Sequence, residues 1–167
     1  MENSTETELI FKFSEEAHLK NWKIVDDAVM GGKSSSEIKL DEQGNGLFAG
    51  QVSLKNNGGF SSVRHRFSKK NIEEYTHLII ELKGDKKEYQ LRIRKNSDDQ
   101  HVYKTHFKTS GYWEVIKIPF HEMSPTFRGQ KLDMANFSGE HLEEIGFLIA
   151  NKKEENFQLI IKKIELG

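Results

Sequence analysis

Apolar and polar residues alternate along this chain in short runs, and each run is cut by glycine, asparagine, aspartate, serine or proline. A period of two sends alternate side chains to opposite faces of a strand, and no stretch keeps a helical stripe for three turns. Residues 9–13 align Leu9, Phe11 and Phe13 on one side. Residues 22–25, 35–40, 47–54, 60–67, 78–83, 88–95, 101–108, 112–118, 145–150 and 157–166 read as further extended segments. Residues 14–21 suit one or two helical turns capped by Ser14. Asp41-Glu42-Gln43-Gly44-Asn45-Gly46 makes a turn between paired strands, and Pro119 stops the strand before it. Residues 119–144 lack clear periodicity and are expected to wrap the domain as a long loop. About ten short strands with this spacing predict an all-β fold, a two-sheet antiparallel sandwich of jelly-roll type.

At 167 residues the chain reads as one domain, 8–167, behind a flexible tail of residues 1–7. A chain of this size buries roughly 70% of its unfolded surface, enough for one core without staples. The absence of cysteine excludes thiolate catalysis, disulfide frameworks and thiol-ligated zinc. Lys and Arg number 25 against 26 Asp and Glu, so no net field gathers phosphates and nucleic acid is not expected as a partner. The first eight residues are polar and acidic, without a basic flank and apolar stretch, and no apolar run approaches the roughly 20 residues of a membrane helix. These features lead to an expectation of a cytoplasmic protein with no membrane insertion.

Two segments stand out. Trp22 to Ser34 carries Asp26-Asp27 ahead of Gly31-Gly32, and Asn57-Gly58-Gly59-Phe60 leads into Ser61-Ser62-Val63-Arg64. Lys83-Gly84-Asp85, Tyr112-Trp113, Ile118-Pro119-Phe120, Pro125-Thr126-Phe127-Arg128-Gly129 and Ile145-Gly146-Phe147-Leu148-Ile149 follow in order. Together they resemble the complex I intermediate-associated protein 30 family over nearly the whole chain. The resemblance implies a galactose-binding-like sandwich, the architecture of many carbohydrate-binding modules, and a role in assisting protein assembly.

The residues themselves leave several readings open. Asp27 caps a turn made by Gly31 and Gly32, or it pairs with Arg64 to lock the two segments together. A calcium site there lacks the alternating acidic loop that six to eight oxygens require, so no metal and no cofactor are expected. Asn57 lies in a glycine turn that is structural or approaches a ligand, but no following helix or Lys-Ser/Thr pair makes it a phosphate cradle. Alternation puts Arg92 and Arg94 on one face of their strand, where a meander brings them beside Tyr103 or His106. Arginine beside an aromatic ring grips sugars, carboxylates or protein. Arg128 either pairs with a carboxylate or faces a cleft, with Phe127 as its anchor, and Trp22 and Trp113 belong to the core.

Seven scattered histidines show no metal spacing, and the serines lack a nucleophile-elbow context. The expected function is therefore non-catalytic binding, and the family resemblance implies a protein client or assembly role; Asp27, Asn57, Arg64, Arg92, Arg94, Tyr103, His106 and Arg128 are the candidate binding residues. A saccharide or other small ligand is the second reading. An enzyme using Asp27 or Asp85 as base, with Arg64 or Arg128 on an anion, is the third.

Overall fold

The computed structural model describes residues 6–167; residues 1–5 of the expected tail lie outside that range, and Thr7 hydrogen-bonds to Glu165 at 3.1 Å. The strands are β1 (Glu8–Lys12), β2 (Trp22–Ile24), β3 (Ser35–Leu40), β4 (Gly46–Val52), β5 (Ser61–Asn71), β6 (His77–Lys83) and β7 (Glu88–Arg94). They continue with β8 (Val102–Lys108), β9 (Trp113–Pro119), β10 (Ser124–Phe127), β11 (Gln130–Lys131), β12 (His141–Ile149) and β13 (Glu155–Leu166). One sheet runs β3-β4-β13-β6-β9, with β1 also on β13; the other runs β11-β10-β8-β7-β12-β5-β2, and every pairing is antiparallel. This is the two-sheet sandwich expected from the alternation.

The core is the set of inward alternate residues. Leu78, Ile80 and Leu82 of β6 and Phe157, Leu159 and Ile161 of β13 face Leu91 and Ile93 of β7 and Ile145, Phe147 and Ile149 of β12. In β13 the inward set changes parity, from Phe157, Leu159 and Ile161 to Ile164 and Leu166, where the register shifts between Ile161 and Lys163. A local bulge keeps both halves of the strand buried on the same side. β12 does the same: Leu142 is buried, the register shifts before Glu144, and Ile145 becomes the next core residue. That shift leaves Glu144 on the outer face of the seven-stranded sheet, where the site lies.

Three expectations change. Residues 14–21 form two separate turns, closed by the Ala17 amide on the Ser14 carbonyl and the Trp22 amide on the Leu19 carbonyl, without helix. Residues 119–144 are more ordered than a wrapping loop, because β10 pairs with β8 and turns back through a two-residue hairpin onto β11. Arg128 and Gly129 form that turn with φ of 51° and 78°, the left-handed pair that a tight hairpin demands. Trp113 is 43% exposed and leaves the core, since β9 is the edge of its sheet and Trp113 shares an outward face with Val115. Trp22 is buried as expected, stacked on His65 at 4.7 Å beside Phe11 and Phe13.

Candidate functional site

The Asp26-Asp27 segment and the Asn57 to Arg64 segment meet, but not through an ion pair. Asp27 is fully buried in a 3-10 turn, Asp27–Met30. Its Oδ1 accepts from the Ser34 amide at 2.9 Å; its Oδ2 accepts from the Ser34 hydroxyl at 2.6 Å and from the amides of Gly59 at 2.6 Å and Phe60 at 3.3 Å. The glycines are required here: a Cβ on Gly32 would lie 2.3 Å from the Asp27 Cγ, and one on Gly58 2.3 Å from its Oδ2. Burial pushes the Asp27 carboxyl up, but the donated hydrogen bonds outweigh it and leave the group below the ordinary carboxylate range. Asp26 shows the opposite balance, held above that range chiefly by burial. Of the two readings left open for Asp27, the pair with Arg64 is not formed: backbone amides and the Ser34 hydroxyl satisfy the carboxylate, and Arg64 lies toward Glu144, 4.0 Å away. Asn57 is exposed in the 3-10 turn Lys55–Asn57, and its neighbour Asn56 bridges the segments by donating to the Gly31 carbonyl at 3.1 Å.

These pinned segments form one wall of a cleft of about 670 Å³ on the outer face of the seven-stranded sheet. Val25, Met30 and Phe60 line that wall, the Arg128-Gly129 turn the opposite one, and β5, β7, β8 and β12 make the floor. Arg64, Arg92, Arg94 and Arg128 all line it, so four of the eight candidate residues converge. Arg128 faces the cleft, its guanidinium 5.2 Å from the ring centre of a half-buried Phe127. Tyr103 does not take part: it lies opposite Ile93 and turns into the core. His106 shares the outer face but sits at its far end, opposite Gln90, with Nδ1 3.0 Å from Glu88 Oε2. Lys104, Gln90 and Glu144 line the cleft but were not among the candidate residues. Lys104 and Gln90 follow from simple alternation, whereas Glu144 depends on the register shift in β12.

The floor is organised in cross-strand rows. In one, Glu144 lies between Arg94 on β7 and Arg66 on β5. Its Oε1 accepts from Arg66 Nε at 2.7 Å and its Oε2 from Arg94, so both oxygens are engaged. In the adjoining row, Lys104, Arg92, Gly146, Arg64 and Lys23 stand opposite one another on β8, β7, β12, β5 and β2. Glycine stands there where the first row has its carboxylate. Arg92 makes one hydrogen bond among the described residues, to Gln90 Oε1 at 2.7 Å, and Arg64 reaches Glu144 only at 4.0 Å. Burial, then the charges of Arg94 and Arg64, push Arg92 down to about 10; burial and then Arg92 lower Lys104 as well. All these groups remain cationic at neutral pH, against a single carboxylate in the cleft lining.

The remaining candidate for chemistry, Asp85, is committed elsewhere. Asp85 accepts from the Tyr89 hydroxyl at 3.0 Å and from the Gln158 amide at 2.8 Å, tying the β6–β7 turn to β13. Among the described residues no group of three or more His, Asp or Glu is placed to hold a metal, and no helix is long and apolar enough to cross a membrane.

Known structures share this two-sheet sandwich. A family 11 carbohydrate-binding module of a cellulosomal cellulase from Clostridium thermocellum superposes with a TM-score of 0.67 at 18% identity, covering 98% of this chain and 95% of that one. The same kind of module in complex with a β-1,3-1,4-mixed-linked tetrasaccharide gives 0.67 at 18%, covering 98% and 96%. A family 29 carbohydrate-binding module gives 0.57 at 11%, covering 96% and 87%. The fold is therefore galactose-binding-like. Residues 11–161 match the Complex I intermediate-associated protein 30 family, and the chain belongs to it.

The mitochondrial complex I intermediate-associated protein 30 of Drosophila melanogaster is 25% identical over 89% of this chain, which spans 58% of that protein. An uncharacterized protein of Schizosaccharomyces pombe, C9E9.15, is 23% identical over 93% of this chain and 82% of its own length. The mitochondrial assignment of the fly relative overturns the cytoplasmic location expected from the sequence.

Proposed function

We propose that this chain is a non-catalytic binding domain that assists assembly in the mitochondrion by holding a protein client in the cleft on its seven-stranded sheet. The observation that carries this reading is the cleft's rigid construction. Its floor is central strands, one wall is fastened by the buried Asp27, and its one carboxylate is saturated by arginines. Groups fixed in this way grip a partner, whereas general acid–base chemistry needs a carboxyl free to exchange a proton. Family membership supports an assembly-related role.

The saccharide reading draws on the carbohydrate-binding modules of like fold. The cleft favours it less, because Phe60 is the one aromatic side chain of the described lining that is not turned into the core. Sugar faces stack on exposed rings, and cations on a floor do not replace them.

The test is affinity capture from mitochondrial extract with the wild type and with a rim variant, Met30→Glu/Arg128→Glu. Both rim residues are exposed, so the variant should melt like the wild type. Recovery of respiratory-complex assembly subunits by the wild type and their loss with the variant is the expected result. Equal recovery by both would move the client surface elsewhere, and saturable binding of a neutral oligosaccharide without any protein client would replace this reading with the second.

A further inference from the structure

Two adjacent rows on one sheet face differ at their centre. Arg94–Glu144–Arg66 is neutralised by its central carboxylate, whereas Lys104–Arg92–Gly146–Arg64 has a glycine at the corresponding place. Like charges directly opposite on neighbouring strands are destabilising, so a row of cations without an acid is a cost to the fold. A larger residue at the centre is barred by the backbone: a Cβ on Gly146 would lie 2.6 Å from the Val63 carbonyl oxygen. The glycine therefore leaves open space over the floor, with guanidinium groups on both sides. Arg64 makes no hydrogen bond among the described residues, and Arg92 donates only to Gln90, so most of their N–H donors are unmatched.

We propose that the cleft recognises a carboxylate of an acidic peptide segment, seated over Gly146 between Arg64 and Arg92, with an apolar neighbour of that carboxylate packed beside Leu148. This rests on the reading of the cleft as the client surface. The ligand carboxylate completes the second row as Glu144 completes the first, and planar guanidinium groups match it by paired N–H donors. Leu148 follows Gly146 on the same face, about 7 Å along the strand, with Phe60 and Met30 in the wall above. The geometry thus asks for a negative group and an apolar group at that separation on one face, a pattern that an extended Glu-x-Leu segment presents. A cluster of cations in one cleft of a chain with net charge -1 suits an acidic segment better than a polyanion that needs a broad basic surface.

The experiment uses the full chain and two fluorescein-labelled, end-blocked octapeptides, one repeating Glu-Ser-Leu-Ser and one with every Glu replaced by Gln; a third carries Gln with a free C-terminus. The Glu peptide is expected to bind at least about tenfold more tightly than its blocked Gln twin, with affinity falling as salt rises. Binding of the free-acid Gln peptide alone would assign the carboxylate to a chain terminus, within the same proposal. Arg92→Met, which keeps an apolar stem, should lose that preference while melting no lower than the wild type, because it removes an unneutralised cation. Lys39→Ala, on the other sheet, should bind as the wild type does. Equal binding of the blocked Glu and Gln peptides in the cleft would overturn the carboxylate while leaving the client reading standing. Equal affinity of Arg92→Met for the Glu peptide would overturn the seat itself. Failure of every peptide, with a neutral mixed-linked tetrasaccharide bound instead, would overturn both.

Discussion

Asp27 accepts four hydrogen bonds from three residues in two separate segments, which makes it the single side chain on which the cleft wall depends. Asp27→Asn replaces one acceptor by an amide that faces N–H donors, and should cost about 2–4 kcal/mol in urea unfolding. Arg64→Ala should cost under about 1 kcal/mol, since Arg64 holds no short ion pair and sits among like charges. A reversed order of these two variants would contradict the wall as described. The sign of the Asp27 contribution follows from its lowered pKa: it is present above the ordinary carboxylate value and is lost as pH falls through the folded one.

His65 adds a second acid-sensitive element. Burial among Trp22, Phe11 and Phe67 pushes it down to about 4, against a weaker opposing hydrogen bond with the Asn21 backbone. The unfolded chain therefore takes up the proton first on acidification, and stability declines from about pH 6.5 to about pH 4 by on the order of 3 kcal/mol. His65→Phe should flatten that decline in melts taken across the range; an unchanged slope would place the titrating group elsewhere.

Among the elements, β9 is where burial and sequence part company. Trp113, Val115 and Tyr112 are exposed because β9 has a partner on one side only, so Trp113→Ala should lower the melting temperature by no more than a surface change does, under about 2 °C. Phe147→Ala, at the centre of β12, should instead cost about 3–5 kcal/mol through the cavity it leaves. Alternation alone made β3 to β9 and β13 legible, since each shows an apolar set with a constant or simply shifted parity. It did not expose β10 and β11, because Pro125 interrupts one and the other is two residues long, joined by an Arg-Gly turn rather than the usual Asn-Gly. It also missed where Glu144 points, because the register shift in β12 arises from pairing with β5 and leaves no mark in the local pattern.

At the scale of the whole molecule, two sheets share one apolar interior, and the outer face of one of them carries the charge that the balanced composition conceals. Four of the candidate residues meet there, Arg64, Arg92 and Arg94 from outward positions of β5 and β7 and Arg128 from the turn above them. Tyr103 and Asn57 do not, since pairing register and the 3-10 turn direct them elsewhere. Asp27 fastens the cleft wall and its ionised form stabilises the fold, so a client held there should be released as the domain softens in acid. Arginine-selective dicarbonyl labelling, read by mass spectrometry with and without captured client, tests the surface most directly. Arg64 and Arg128 should become shielded while Trp113 and Tyr112 stay open to oxidative labelling; shielding of the β9 face with the cleft arginines still reactive would contradict the account.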